Sequence, residues 1–572
     1  MDKQIIDKAN YWLTNDFDVE TQNLVKDLIE NNEAELIESF YKDLEFGTGG
    51  LRGIMGVGSN RMNKYTVGMA TQGLGNYLKK QFSNLAQIKV AIAYDCRNNS
   101  AFFAKTAAKI LTSLNFKVYL FESLRPTPEL SYAIRDLGCQ SGIVITASHN
   151  PKEYNGFKAY WNDGGQLIAP HDKNVIEEVN RVKISEINFE GKPEQIEMLG
   201  VDYDKKYLNE LHSLSLNPSI IQKQKDLKIV YTPIHGTGVE LVPASLKQFG
   251  FENVHVVEEQ AIVDGNFPTV YSPNPEERSA LEMAIEKANK IGAELVMATD
   301  PDADRVGIAV RDLNNQFILL NGNQTGALLI NYLLSQWKAK GKLKGKEYIV
   351  KTIVTSELLV DMANKYKVEY FDVLTGFKYI ADIILQNEGK KTFIGGGEES
   401  YGYLAGEFVR DKDAVMSCAL IAEASAYAKE QGMTLYEQML DIYKEYGIYY
   451  EDLISVVKKG KEGSEAIQKM MADYRENPPK QIIGSSVLTI KDYQTSVTQN
   501  IKEKTEEEIH LPKSNVLQFF LEDGTKISVR PSGTEPKIKF YISVKDKYSG
   551  NVDADIEKAQ QKIEAIKKDM KL

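Results

Sequence analysis

The feature that most constrains this chain is an alternation of short β-branched runs with helical stretches, met three times along its length. Ile88–Tyr94, Lys117–Phe121 and Ile143–Thr146 read as strands, with helices from about 100 to 114 and near 129–136 between them. Leu227–Tyr231, Val254–Val257 and Ala293–Thr299 repeat the pattern, with a helix over about 276–290. Tyr348–Val354, Glu369–Val373 and Lys391–Ile394 repeat it again. Parallel strands need long crossovers, so this alternation predicts mainly parallel or mixed sheets covered by helices. At 572 residues the chain exceeds what one hydrophobic core serves. The first 45 or so residues read as an amphipathic helical extension, with Trp12, Leu24, Leu28, Leu36 and Phe40 on its apolar face. After the charged, proline-containing stretch Arg475–Lys480 the chain becomes strand-rich and ends in a helix over Asp553–Lys568, which predicts a smaller α+β domain.

Charge and cysteine content narrow the function. A net charge of −11 argues against non-specific binding of nucleic acid or anionic membranes, and means that an anionic substrate needs locally gathered Arg and Lys. Cys96, Cys139 and Cys418 are few and far apart, which disfavours a disulfide framework or a structural zinc and fits a reducing compartment. The polar start of the chain does not read as a signal peptide, and no run approaches the ~20 apolar residues of a membrane helix. A soluble cytoplasmic protein is the expectation.

Chemistry-bearing residues gather where the strands stop. Ile143–Thr146 ends at Ala147-Ser148-His149-Asn150-Pro151, placing a hydroxyl, an imidazole and an amide on a strand-end loop, where open α/β sheets bind their ligands. Asn155-Gly156 reads as a second turn, and Phe157–Trp161 as a returning strand that carries Lys158. An ordinary Asn/Gly-rich surface turn also accounts for this segment when it is taken alone. Phe46–Gly53 is a glycine-rich loop around Arg52, of a kind whose backbone can approach an anion closely.

After the strand Ala293–Thr299 come Asp300, Asp302 and Asp304 at alternate positions, followed by Arg305. In extended backbone their side chains point one way and converge on a hard cation such as Mg²⁺. A solvated acidic turn is the plainer alternative. An aspartate-nucleophile phosphatase of the haloacid dehalogenase type is another, although Arg305 and Val306 do not continue that signature. Gly395–Gly402 sets Glu398 and Ser400 among glycines, which suits a polyhydroxylated ligand. Arg530, Ser532, Gly533 and Thr534 form a compact donor set for a phosphate dianion on what also reads as a hairpin turn between strands over Lys526–Val529 and Ile538–Val544. His235 reads as a turn support, and His171, His212, His255 and His510 as surface residues; Arg410–Asp413 has no evident role.

Taken together, FGTGGLRG, TASHNP with NGFK, DPDADR, TGFK with GEES, and RPSGTEPK resemble, in order, the motifs of the α-D-phosphohexomutases, the phosphoglucomutase and phosphomannomutase family. The resemblance covers nearly the whole chain and implies four domains around a central cleft. Three are similar α/β domains with mixed sheets and the last is a smaller α+β domain; the divisions expected are 1–205, 206–322, 323–450 and 451–572. It implies an isomerase that interconverts α-D-glucose 1-phosphate and glucose 6-phosphate through a phosphorylated Ser148 and a glucose 1,6-bisphosphate intermediate, which also primes the enzyme. One Mg²⁺ would be held by Asp300, Asp302, Asp304 and a phosphoserine oxygen on Ser148, with Arg305 neutralising that phosphate. Arg52 would face the active site, Glu398, Ser400 and Lys378 the sugar, and Arg530, Ser532, Gly533 and Thr534 the non-reacting phosphate. Lys351 is a further candidate for the same cleft. Proton transfer falls to Lys158 or His149, which the sequence does not rank. The expected partner is a small sugar phosphate, with no nucleic acid or membrane, on a monomer or homodimer. Mannose and pentose phosphates are alternative substrates, and a metal-dependent sugar-phosphate phosphatase or a non-catalytic binder the rival classes.

Overall fold

A computed structural model describes residues 2–47, 49–458, 460–532 and 537–572. The chain forms two units, one of Met1–Thr325 with Phe377–Gly432 and one of Gly326–Gly376 with Met433–Leu572.

The first unit holds two helix-covered sheets. One has six strands in the order Gly50–Ile54, Tyr154–Trp161, Ser141–Ile145, Lys89–Tyr94, Lys117–Phe121 and Ile196–Leu199. The last four of these run parallel and the first two pair antiparallel. Ser141–Ile145 is buried along its whole length, as a central strand with helices on both faces must be. The second sheet has five strands in the order Phe317–Leu320, Val306–Arg311, Leu295–Thr299, Ile229–Thr232 and Val254–Val256, again parallel on one side and hairpin-paired on the other. A separate strand, Thr392–Gly397, pairs antiparallel with Tyr403–Ala405. The buried helix Ala414–Glu430 packs against that hairpin.

Several local expectations need correction. Asn155 and Gly156 do not form a turn but lie inside Tyr154–Trp161, where Gly156 is required: a Cβ there would stand 2.4 Å from the Thr146 carbonyl oxygen. Arg52 sits on the edge strand Gly50–Ile54 rather than on a free loop, and Gly395–Gly397 finish a strand, so the loop begins at Glu398. The helix Lys64–Gln81 shows little apolar periodicity in the sequence because glycines dilute it. One of them, Gly73, lets it approach the helix His171–Arg181 so closely that a Cβ would meet Val179 backbone at 2.6 Å. The N-terminal segment is three short helices, Lys3–Tyr11, Val19–Asn31 and Glu33–Phe40. Trp12, Phe17, Val25, Leu36 and Phe40 pack with Tyr65, whereas Leu24 is 49% exposed.

In the second unit, Glu347–Thr352 and Glu369–Val373 pair in parallel. An antiparallel sheet then runs Ile448–Val457, Lys537–Asp546, Lys526–Pro531, Leu517–Leu521, Ser485–Asp492, Val497–Asn500 and Thr505–Glu508. The strand Ile448–Val457 joins this sheet well before Gln481, and Arg475 and Glu476 close the helix Gly460–Glu476. The sheet's core residues Ile527, Val529, Ile538 and Phe540 are buried with Ile467, Met471, Ile563 and Ile566 from that helix and the C-terminal helix Val552–Asp569. Among the described residues no helix is long and apolar enough to cross a membrane, and Cys96, Cys139 and Cys418 are free thiols.

Candidate active site

Ser148 stands just past the buried strand Ser141–Ile145 and adopts φ +51°, a left-handed conformation that costs a non-glycine residue energy. The surrounding loop over-determines it. The Ser148 amide donates to Thr146 Oγ1 at 2.9 Å. Arg97, whose side chain is fully buried, donates through Nη2 to the carbonyls of Ser148 (2.6 Å) and Asn150, and through Nη1 to those of Pro151 (2.8 Å) and Tyr154 (3.0 Å). Asp95, also fully buried, balances that guanidinium at 3.3 Å. Asn155 ties the far side of the loop to the Ser100 hydroxyl and the Asn98 carbonyl. Arg97 and Asn155 together satisfy five carbonyl acceptors around the loop, those of Asn98, Ser148, Asn150, Pro151 and Tyr154.

The hydroxyl of Ser148 donates to Asp300 Oδ2 at 2.7 Å and lies 3.2 Å from His149 Nδ1. Asp300, Asp302 and Asp304 are all buried, and one oxygen from each lies within 4.8 Å of the others. The reason differs from the extended backbone expected. The loop is a turn in which Ala303 takes φ +50° and the amides of Asp304 and Arg305 both donate to Asp300 Oδ1, at 3.1 and 3.0 Å. Both oxygens of Asp300 are thus engaged by the chain, but only one each of Asp302 and Asp304. Asp302 Oδ2 accepts from Lys158 Nζ at 2.8 Å and from Thr127 Oγ1 at 3.0 Å, and Asp304 Oδ2 lies 3.1 Å from Lys412 Nζ. The other oxygens of Asp302 and Asp304, both Oδ1, are buried and accept no hydrogen bond among the described residues. Buried carboxylate oxygens left bare within so close a cluster fit a hard divalent cation.

The electrostatics follow from this crowding. Burial, with Asp302 and Asp304 beside it, pushes Asp300 well above the usual carboxylate range. Burial would raise Asp302 too, but Lys158 holds it below that range. Lys158 is raised despite its burial because Asp302 and Asp304 favour its charged form. Lys412 is raised for the same reason by Asp304 and Asp411. Asp411 in turn accepts from Tyr160 OH at 2.7 Å and Gln166 Nε2 at 3.1 Å, fixing the segment that delivers Lys412. Burial and the cations Arg305 and Arg52 push His149 down to about 3, so its ring is neutral at neutral pH. Arg305 pairs with Glu276 at 2.7 Å and lies 3.8 Å from Asp304.

Glu398 is buried at the start of its loop, Ser400 is half-buried, and Tyr401 takes φ +66°. The Tyr401 carbonyl accepts the Val306 amide at 3.0 Å, joining this loop to the aspartate loop. Serine, aspartate and glutamate loops thus each carry one left-handed non-glycine residue. Arg52 Nη1 reaches Asn150 Oδ1 at 3.4 Å, and Lys378 lies 3.9 Å from the buried Asp172.

The structure therefore brings together Ser148, His149, Lys158, Asp300, Asp302, Asp304 and Arg305. In the second unit, Arg530 and Ser532 are half-buried on the hairpin between Lys526–Pro531 and Lys537–Asp546; Gly533 and Thr534 lie outside the described residues. Lys351 is not a free cleft lysine: it is 1% exposed and engaged with Asp372 at 2.8 Å and Glu357 at 3.0 Å. His171 is not a bare surface residue, since it stacks on Trp161 at 3.9 Å and meets Tyr77 OH at 2.8 Å. His235 is buried between the Ile262 carbonyl and Thr269 Oγ1, a structural role. Sequence reasoning missed Arg97 and Thr127 and left Lys412 without a role; Asp411-Lys412-Asp413, a run of buried charges, was the available signal for the last.

Comparison with known proteins agrees with this geometry. Models described as phosphoglucomutase/phosphomannomutase, alpha/beta/alpha domains I, II and III match residues 43–185, 205–314 and 321–446. A phosphoglucomutase of Staphylococcus haemolyticus is 41% identical over 525 residues, covering 91% of this chain and 93% of the relative. The open form of the Paramecium phosphoglucomutase parafusin superposes with TM-score 0.68 at 18% identity, covering 92% of this chain and 95% of that one. A phosphoglucomutase/phosphomannomutase family protein of Burkholderia thailandensis gives TM-score 0.64 at 17% identity, over 92% of this chain and 97% of that one.

Proposed function

This chain belongs to the phosphoglucomutase/phosphomannomutase family, and we propose that it is a phosphoglucomutase, interconverting α-D-glucose 1-phosphate and glucose 6-phosphate. The observation that carries the reading is Ser148 Oγ at 2.7 Å from Asp300, beside two carboxylates with bare buried oxygens. Asp300, Asp302 and Asp304 would hold the cation that neutralises a phosphoryl group carried on that hydroxyl. Mg²⁺ fits this oxygen-only donor set and, when bound, supplies Lewis-acid stabilisation of the transferring phosphoryl group. The chain's own cations do the rest. Lys158 and Lys412 are charged and fixed against the same carboxylates, and Arg305 stands 3.8 Å from Asp304.

Phosphorylated Ser148 gives its phosphoryl group to the free sugar hydroxyl, forming glucose 1,6-bisphosphate and a free serine. The intermediate turns, and Ser148 takes back the other phosphate. Lys158, protonated at neutral pH, donates a proton to the serine oxygen that leaves and takes up the one that the attacking sugar hydroxyl gives up, so no net proton is exchanged; His149, with a pKa of about 3, remains neutral and serves as a hydrogen-bond partner of Ser148. In this reading Arg52 faces the reacting phosphate. Glu398, Ser400 and Lys378 hold the sugar, and Arg530 and Ser532, with Gly533 and Thr534, hold the second phosphate. The serine, metal, sugar and phosphate loops belong to segments 1–205, 206–322, 323–450 and 451–572. Glucose 1,6-bisphosphate is the primer, and the three free thiols favour the cytoplasm.

Intact mass after priming with glucose 1,6-bisphosphate is expected to show one added phosphoryl group on the native chain and none on Ser148→Ala, which also loses mutase turnover. Near-normal turnover by Ser148→Ala sinks the proposal. A coupled assay with glucose, mannose and ribose 1-phosphates ranks the sugars.

A further inference from the structure

We propose that Thr127 is a positioning residue that selects which oxygen of Asp302 faces the cation. Thr127 opens the helix Thr127–Asp136, between Pro126 and Pro128, and is 0% exposed. It grips Asp302 twice: its amide donates to the Asp302 carbonyl at 2.9 Å and its hydroxyl to Asp302 Oδ2 at 3.0 Å. Lys158 donates to the same Oδ2 at 2.8 Å. A carboxylate oxygen offers two lone-pair sites, so these two donors occupy Oδ2 and leave Oδ1 as the oxygen free to ligate. Oδ1 is buried and accepts no hydrogen bond among the described residues, as the assignment requires.

Lys158 alone does not fix this choice. An ammonium on a flexible stem can follow a rotating carboxylate, and Lys158 lies 3.6 Å from Asp304 Oδ2 as well. The Thr127 hydroxyl cannot follow, because its backbone is pinned by the second bond and by the flanking prolines. Thr127 belongs to the sheet-and-helix layer that carries Ser148, whereas Asp302 belongs to the next one. The contact therefore also fixes the metal loop relative to the serine. Outer groups that orient a ligating carboxylate typically change metal affinity 10–100-fold when removed.

This inference rests on the metal reading above, and direct metal binding separates the two. Mn²⁺ binding to the EDTA-stripped full chain is measured by electron paramagnetic resonance and by calorimetry. The native chain binds one Mn²⁺; Thr127→Val, isosteric and retaining the amide bond, is expected to weaken Kd 10–100-fold, and Thr127→Ser to stay within about threefold of the native value. In turnover, Thr127→Val raises the Mg²⁺ concentration needed for half-maximal rate while KM for the sugar phosphate at saturating metal is unchanged. If the native chain binds no Mn²⁺, the metal reading fails. If the native chain binds and Thr127→Val matches it within twofold at an unchanged melting temperature, the role given to Thr127 is wrong. Should Thr127→Val not fold, Thr127→Ala replaces it, and an affinity equal to that of Thr127→Ser overturns the inference in the same way.

Discussion

Arg97→Met tests how Ser148 is held in its left-handed conformation. The guanidinium is fully buried and supplies hydrogen bonds to four carbonyls of the serine loop, those of Ser148, Asn150, Pro151 and Tyr154, while Asp95 neutralises it. Methionine fills a similar volume and supplies none of these donors. Removing one partner of a buried ion pair costs about 3–5 kcal/mol, and each carbonyl left buried and unpaired adds about 1–3 kcal/mol unless water reaches it. The strain at Ser148, about 1–3 kcal/mol, is relieved if the loop relaxes, which offsets part of the loss at the expense of the serine's placement. With water reaching the freed carbonyls, the net expectation is a loss of about 3–5 kcal/mol of stability or a loop that opens locally, together with a fall in serine phosphorylation of at least ~10²-fold, the order lost when a reacting group is misplaced. Urea unfolding gives the first quantity, and time-resolved intact mass after addition of glucose 1,6-bisphosphate gives the second. Arg97→Lys keeps the charge beside Asp95 but not the planar fork, so it should recover stability more than phosphorylation. Stability within 1 kcal/mol of native, with an unaltered phosphorylation rate, would refute this account.

Two further outcomes follow from the buried charges. Burial raises Asp413 to about 6 from an ordinary 3.8. The folded chain thus holds this proton more tightly than the unfolded one, and the resulting stability is complete below pH 3.8 and lost as pH rises through about 6, about 3 kcal/mol in all. Urea midpoints of the native chain and Asp413→Asn should diverge by that amount between pH 4 and 6.5 and run parallel above; parallel curves throughout count against it. Lys158→Met removes the ammonium at 2.8 Å from Asp302 and is expected to slow turnover by about 10²–10⁴-fold while Ser148 can still carry phosphate. Single-turnover kinetics with primed enzyme read this directly, and a rate within fivefold of native assigns the proton to another group.

Much of the layout was legible from residues alone, because it depends on local order. A β-branched run such as Ile143–Thr146 makes a strand wherever both its faces are covered, and the small and polar residues after it must make a loop. Asp300, Asp302 and Asp304 follow the strand Leu295–Thr299 in the same way, and Glu398 follows Thr392–Gly397. Which distant side chains complete those loops is another matter. Lys412 reaches Asp304, Thr127 reaches Asp302, and Arg97 reaches the carbonyls of Ser148 and its neighbours across separations of about fifty residues or more. No periodicity encodes such pairs, since they exist only once sheets and helices have packed.

The same division holds for Gly156, which local rules read as a turn and which the sheet instead demands because the Thr146 carbonyl leaves no room for a Cβ. It holds for Leu24, apolar by type yet 49% exposed because the helix Val19–Asn31 buries Val25 and Thr21. Chain order thus sets which residues lie at strand ends and so which chemistry is on offer. Tertiary packing decides which oxygens of those residues are occupied and which stay bare, because desolvation and hydrogen-bond geometry act only between groups brought together in space.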